Sequence, residues 1–144
     1  MHKIKQHRRR LRRRQRKQQG QPALSFQRQV ARLFRRLGYR VHSRPATHDL
    51  GVDLIVARHG QVAIVQCKNW RHPVGPAAVR DLYGTLLHTG ANLGILVTPS
   101  AVSKAAQRFA AGKPLLLMDG PILRLLMDGL NPEPGLPSRR EAAC

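Results

Sequence analysis

Carboxylates are scarce in this chain: 7 Asp plus Glu stand against 26 Lys plus Arg, a net charge of +19 at neutral pH. That imbalance excludes a typical metabolic enzyme for cationic or neutral substrates and points to a polyanion: DNA, RNA or an anionic membrane surface. Aromatic residues make up only 4%, which argues against sheets that stack bases on Phe, Tyr or Trp. Two cysteines, Cys67 within an apolar stretch and Cys144 at the last position, are too few for a disulfide framework or a zinc site. No apolar run approaches the ~20 residues of a transmembrane helix. No hydrophobic segment follows the basic N-terminus, so a secretory signal is not expected and a cytoplasmic, reducing location is the default. What is present is apolar content of 42% over 144 residues, enough for one domain with a real core.

Three segments follow from composition. Residues 1–21 are a basic arm in which Arg8, Arg9, Arg10, Arg12, Arg13, Arg14, Arg16 and Lys17 crowd together with no acidic residue. Such a block repels itself and is expected to be disordered when free. It serves either as a solubilising tail or as a phosphate-binding arm. Neutralising ~5 phosphates would give log affinity a slope of roughly −4.5 against log salt. Residues 22–130 form the expected folded domain, and 131–144, rich in Pro, an expected flexible tail.

Within the domain, Phe26, Val30, Leu33, Phe34 and Leu37 line one face of a helix that Gly38 stops. Arg28, Arg32, Arg35 and Arg36 fall on the other face, most simply as a solvated surface. A short extended piece, Tyr39 to Ser43, comes next. Val52–Ala57 and Val62–Cys67 are β-rich runs whose spacing predicts a hairpin turning at His59-Gly60. Pro76 opens a helix through Val79, Leu82, Tyr83 and Leu86. Leu93–Thr98 is a buried strand, and Ser100 is expected to cap a helix bearing Val102, Ala105, Ala106 and Phe109. A strand at Leu115–Met118 and a helix at Pro121–Leu130 complete the order α-β-β-β-α-β-α-β-α. This is a mixed α/β domain with a sheet of about five strands flanked by helices.

The short list of acids narrows the search for chemistry. Asp128, Glu133 and Glu141 fall in the last helix or tail, and Asp119 after the last strand, leaving Asp49, Asp53 and Asp81. A turn centred on His59-Gly60 pairs Asp53 with Gln66 on one face of the sheet, and Lys68, two residues on, shares that face. A surface salt bridge beside a polar pair would explain this trio. Three features favour a site instead. The trio interrupts apolar strands, it sits where they end, and its carboxylate lies in a strong positive field suited to a divalent cation against phosphate.

Gly51-Val52-Asp53-Leu54-Ile55-Val56 followed by Val65-Gln66-Cys67-Lys68 resembles the catalytic core of Mrr-type restriction endonucleases. These belong to the PD-(D/E)xK superfamily, in the branch that carries Gln-x-Lys. Leu37-Gly38-Tyr39, Pro73-Val74, Gly94-Ile95-Leu96-Val97-Thr98 and Met118-Asp119-Gly120 match in register, so the resemblance spans residues 22–130. It implies a restriction endonuclease-like fold and Mg²⁺- or Mn²⁺-dependent hydrolysis of phosphodiesters in double-stranded DNA. Asp53 would ligate the metal, with the Gln66 amide oxygen and the Cys67 carbonyl as further oxygen ligands. Lys68 would orient the attacking water and offset charge on the phosphate. The Cys67 thiol has no part in that chemistry and serves as a small buried strand residue.

One position departs from the family. Where it usually carries Glu in the first helix, this chain has Gln27 after Phe26, which keeps an oxygen but removes a charge. Asp49 would supply a second carboxylate, or else cap its own loop backbone. The expected protein is therefore an endonuclease of low intrinsic sequence specificity. A binding protein with weakened catalysis is the alternative, and an RNA- or ribosome-associated basic protein a third. With no room for a target-recognition domain, specificity would come from a partner. Staggered double-strand cuts would call for a homodimer. His48 and His72 flank the site as loop residues, and Trp70 is expected at the core or sheet edge.

Overall fold

The computed structural model describes residues 22–43 and 51–129. Helix α1 spans Pro22–Arg36, and strands β1 (Arg40–Ser43), β2 (Leu54–Arg58) and β3 (Gln61–Cys67) follow. Helix α2 (Pro76–Thr89), β4 (Leu93–Val97), α3 (Lys104–Ala110), β5 (Leu115–Met118) and α4 (Gly120–Met127) complete the chain order. The five strands lie in one mixed sheet in the order β1-β2-β3-β4-β5. β1, β2 and β3 are antiparallel neighbours, whereas β3, β4 and β5 run parallel. This is the expected mixed α/β sheet. The parallel strands need crossovers, which α2 and α3 provide. Among the described residues no helix is long and apolar enough to cross a membrane.

Two apolar cores sandwich the sheet. Val30, Phe34, Leu123 and Leu126 of α1 and α4 pack on Leu54, Val56, Val65 and Val97. Val79, Leu82 and Ala106 of α2 and α3 pack on Ile64 and Leu96 from the other side. Burying a Leu or Phe of this kind contributes about 1.5–3 kcal/mol, so the central strands, covered on both faces, are the most firmly held. The hairpin turns where the sequence indicates. His59 and Gly60 both have positive φ, 50° and 76°, as the right-handed twist of a two-residue turn requires.

Three details depart from expectation. Ser100 does not cap α3; its hydroxyl donates to the Arg71 carbonyl at 3.1 Å. Val102 instead bridges Val74 in extended form, so the helix starts later and Ser103 accepts from the Ala106 N–H at 3.1 Å. Tertiary pairing thus overrides the earlier cap. Arg36 is not merely solvated, since its Nη2 donates to the carbonyls of Leu126 and Met127 at 2.7 and 2.9 Å. A cation there complements the negative end of α4. Finally, α4 begins at Gly120 and Asp119 caps it, accepting from the Ile122 N–H at 3.1 Å.

Candidate active site

The C-terminal ends of β3, β4 and β5 share one edge of the sheet with the N-terminal end of antiparallel β2. Asp53 precedes β2 there, and Lys68 follows β3. The hairpin register holds as predicted from Arg58↔Gln61 to Leu54↔Val65, then slips. Asp53 donates its N–H to Val65 O at 2.9 Å, although Val65 already pairs with Leu54. Two residues of one strand against one of the other make a β-bulge. Its consequence shows in the cores. Leu54 and Val56 enter the α1/α4 core, whereas Val52 and Ile55 enter the other, so alternation breaks at Asp53.

The predicted pairing of Asp53 opposite Gln66 is therefore replaced. The Asp53 Oδ2 accepts the Cys67 peptide N–H at 2.7 Å, which has no strand partner beyond the end of β2. Its Oδ1 accepts no hydrogen bond among the described residues. Burial raises the Asp53 pKa above its ordinary value; the Cys67 N–H bond and then the Lys68 charge act against that rise. A carboxylate kept in low dielectric and only partly satisfied favours a cation when it is ionised.

Gln66 follows Ile64 on the α2/α3 face and is only 5% exposed. Its Oε1 is buried with no hydrogen-bond partner among the described residues. An unpaired buried amide oxygen costs about 1–3 kcal/mol and calls for an explanation. Gly51 is why the amide fits: a Cβ there would lie 2.5 Å from Gln66 Nε2. Gly51 also has φ +66°, a conformation that favours glycine. The Lys68 ammonium lies over the Trp70 ring, 5.2 Å from its centroid, and Trp70 stacks on His72 at 4.7 Å. Trp70 also packs against the α2/α3 core.

Gln27 reaches this edge from α1, where its Nε2 donates to the Asp53 backbone carbonyl at 3.0 Å. The amide thus holds the main chain of the bulge, a use that Glu could not fill, having no N–H to donate. The Cys67 thiol is pushed far up by burial and then by the Asp53 charge, which keeps it protonated and inert. Among the described residues no group of three or more His, Cys, Asp or Glu converges. Asp49, His48 and the arm from Arg8 to Lys17 lie outside the described residues.

Comparison with known proteins decides the family. The Mrr_cat model, described as restriction endonuclease, matches residues 20–127. The chain belongs to that family. Its restriction endonuclease-like fold recurs in solved structures. One, a protein of unknown function, AF1548, is 21% identical with a TM-score of 0.59, covering 74% of this chain and 68% of that one. Another, the DNA modification-dependent restriction endonuclease AspBHI, is also 21% identical at 0.59, covering 80% and 34%. The restriction endonuclease MspJI, solved in complex with a 27-mer oligonucleotide, is 23% identical at 0.55, covering 70% and 26%. The Mrr_cat domain here therefore spans about a third and a quarter of those two enzymes. No curated protein sequence matches. Restriction endonuclease-like domains generally use divalent metals, and membership marks this chain as a nuclease domain.

Proposed function

We propose that the chain is a divalent-metal-dependent endonuclease on double-stranded DNA, with low intrinsic sequence specificity. The observation that carries this reading is the buried, unpaired Gln66 Oε1 at a strand end where the next residue, Cys67, donates its N–H to the partly desolvated Asp53 carboxylate. Both are hard oxygen donors, the class that suits Mg²⁺ or Mn²⁺, so the residues present fit such an ion. Asp53 and Gln66 would hold it, with the Cys67 carbonyl as a further ligand. When bound, the ion would supply Lewis-acid polarisation of phosphate oxygens and a water of lowered pKa.

The remaining roles belong to the chain itself. Lys68, its ammonium placed against Trp70, orients the attacking water and offsets charge on the phosphate. Gln27 fixes the bulge that aims Asp53. The arm from Arg8 to Lys17 adds phosphate affinity without base selectivity, since contacts to phosphate oxygens carry no sequence information. A separate specificity partner and a homodimer for staggered cuts complete the proposal, with action in the cytoplasm.

A second reading, DNA binding without cutting, draws on one observation: no group of three or more His, Cys, Asp or Glu forms around Asp53 among the described residues. Supercoiled plasmid incubated with Mg²⁺, Mn²⁺ or a chelator separates the two readings. Metal-dependent nicking supports the endonuclease, and retardation without nicking supports the binding protein.

A further inference from the structure

A cavity of about 410 Å³ opens beside the candidate site, between α1, α4 and the strand ends. Ser25 and Gln29 of α1 form one wall, Asn69 and Pro99 the strand-end side, and Leu123 and Arg124 of α4 the far wall. The cavity adjoins the site at one residue. Asn69, in its lining, directly follows Lys68. The volume falls within the roughly 300–1,000 Å³ typical of ligand cavities, and the ends of parallel strands are where α/β sheets bind ligands.

Its lining combines apolar and polar groups with a single cation. The floor, with Phe26 and Met127, is apolar, while Ser25, Gln29 and Asn69 supply polar groups. Arg124 is the sole charged residue of the lining, and no carboxylate faces it there. Arg124 is exposed, so its guanidinium is open to a ligand from solvent. Its Nη1 lies 3.1 Å from where a Cβ on Gly120 would stand, and that Cβ would also meet the Pro99 carbonyl. The tighter of these contacts is with the main chain, so glycine at 120 is required by the Pro99 carbonyl.

We propose that this cavity seats the nucleotide next to the bond that is cut, its phosphate on Arg124 and its sugar against the apolar floor. The proposal rests on the DNA-cleavage reading above. Arg124 is a planar donor suited to phosphate oxygens, and a strand leaving the site beside Lys68 passes Asn69 into the cavity.

Duplex binding by the full chain, measured against salt without divalent ion, provides the first test. Arg124→Gln should make the log–log salt slope shallower by about one, the loss of one phosphate contact. Gln29→Trp, an exposed position that fills the cavity without changing charge, should weaken Kd several-fold. The double variant should bind no more weakly than the weaker single one. On a duplex carrying one methylphosphonate, wild type should avoid one bond at a fixed offset from the neutral phosphate, and Arg124→Gln should cut it normally. An unchanged slope, wild-type affinity in Gln29→Trp, or the same cutting map in both proteins overturns the proposal while DNA binding stands. A wild type that binds no duplex overturns the DNA reading itself, and this proposal with it.

Discussion

The Asp53 carboxylate takes the Cys67 peptide N–H at 2.7 Å, standing where the next carbonyl of β2 would be had the strand continued. One side chain thus closes the ladder and leaves its second oxygen at the edge of the sheet. Strand termination and site construction are the same event here, because the bulge that ends regular pairing is what re-aims the carboxylate.

Neutralising that carboxylate should stabilise the fold while removing its chemistry. Burial raises the Asp53 pKa in the folded state, so the folded chain binds that proton more tightly than the unfolded chain. Its contribution to stability is full below the ordinary carboxylate pKa and is lost as pH rises through the raised folded value. Asp53→Asn keeps an oxygen for the Cys67 N–H and carries no charge. We expect a higher Tm than wild type at pH 7, a gap that closes below the carboxylate range, and no DNA cleavage. Thermal melts across pH check the first two expectations.

Glycine at 51 and at 60 should differ in cost. Both have positive φ, 66° and 76°, so alanine at either meets left-handed strain of about 1–2 kcal/mol. A Cβ at Gly60 meets nothing within 4 Å, whereas one at Gly51 meets Gln66 Nε2 at 2.5 Å. Gly51→Ala should therefore lose roughly 1–3 kcal/mol more, as overpacking does, and displace the Gln66 amide. Denaturant titration of the two variants measures the difference.

Gln27→Glu should separate structure from metal binding. The substitution removes the donor to the Asp53 carbonyl and sets oxygen against oxygen, a cost of about 1–3 kcal/mol for a half-buried group. It also adds a carboxylate beside the ion site. In chelator the variant should melt below wild type, and Mn²⁺ should raise its Tm by more than it raises that of wild type. Equal Mn²⁺ shifts would show that residue 27 acts only on the backbone.

Much of this architecture is legible in the chain because local signals and tertiary demands agree. The α1 face from Phe26 to Phe34 and the His59-Gly60 turn are set by periodicity and by φ, so helix and hairpin register follow directly. The mixed sheet needs only the apolar runs and crossover helices. What stays hidden depends on neighbours distant in sequence. Ser100 and Ser103 are equal as caps until Val102 pairs with Val74. The bulge at Asp53 is invisible to a two-residue alternation, because Val52 and Leu54 read as one face until they enter opposite cores. The Gln27 bond crosses from helix to strand, and Gly51 reveals its purpose only once Gln66 is buried beneath it. Asp119 before Gly120-Pro121 was a legible helix cap, since Pro favours the first turn.

Removing the arm should cost affinity without selectivity. Deleting residues 1–19 should weaken binding to all duplexes alike and flatten the salt slope, by roughly 4.5 if five phosphates are neutralised. Anisotropy titrations on two unrelated duplexes at several salt concentrations check this. An unchanged slope would assign the phosphate contacts to the folded domain.

The central claim is that the edge formed by Asp53, Gln66 and Lys68 cuts DNA. Its most direct test compares wild type with Lys68→Ala on supercoiled plasmid in Mg²⁺ or Mn²⁺, with binding measured in parallel. The account predicts metal-dependent nicking by wild type, and binding without nicking by the variant. Nicking that survives Lys68→Ala, or a folded, DNA-bound wild type that leaves the plasmid intact in both metals, would contradict it.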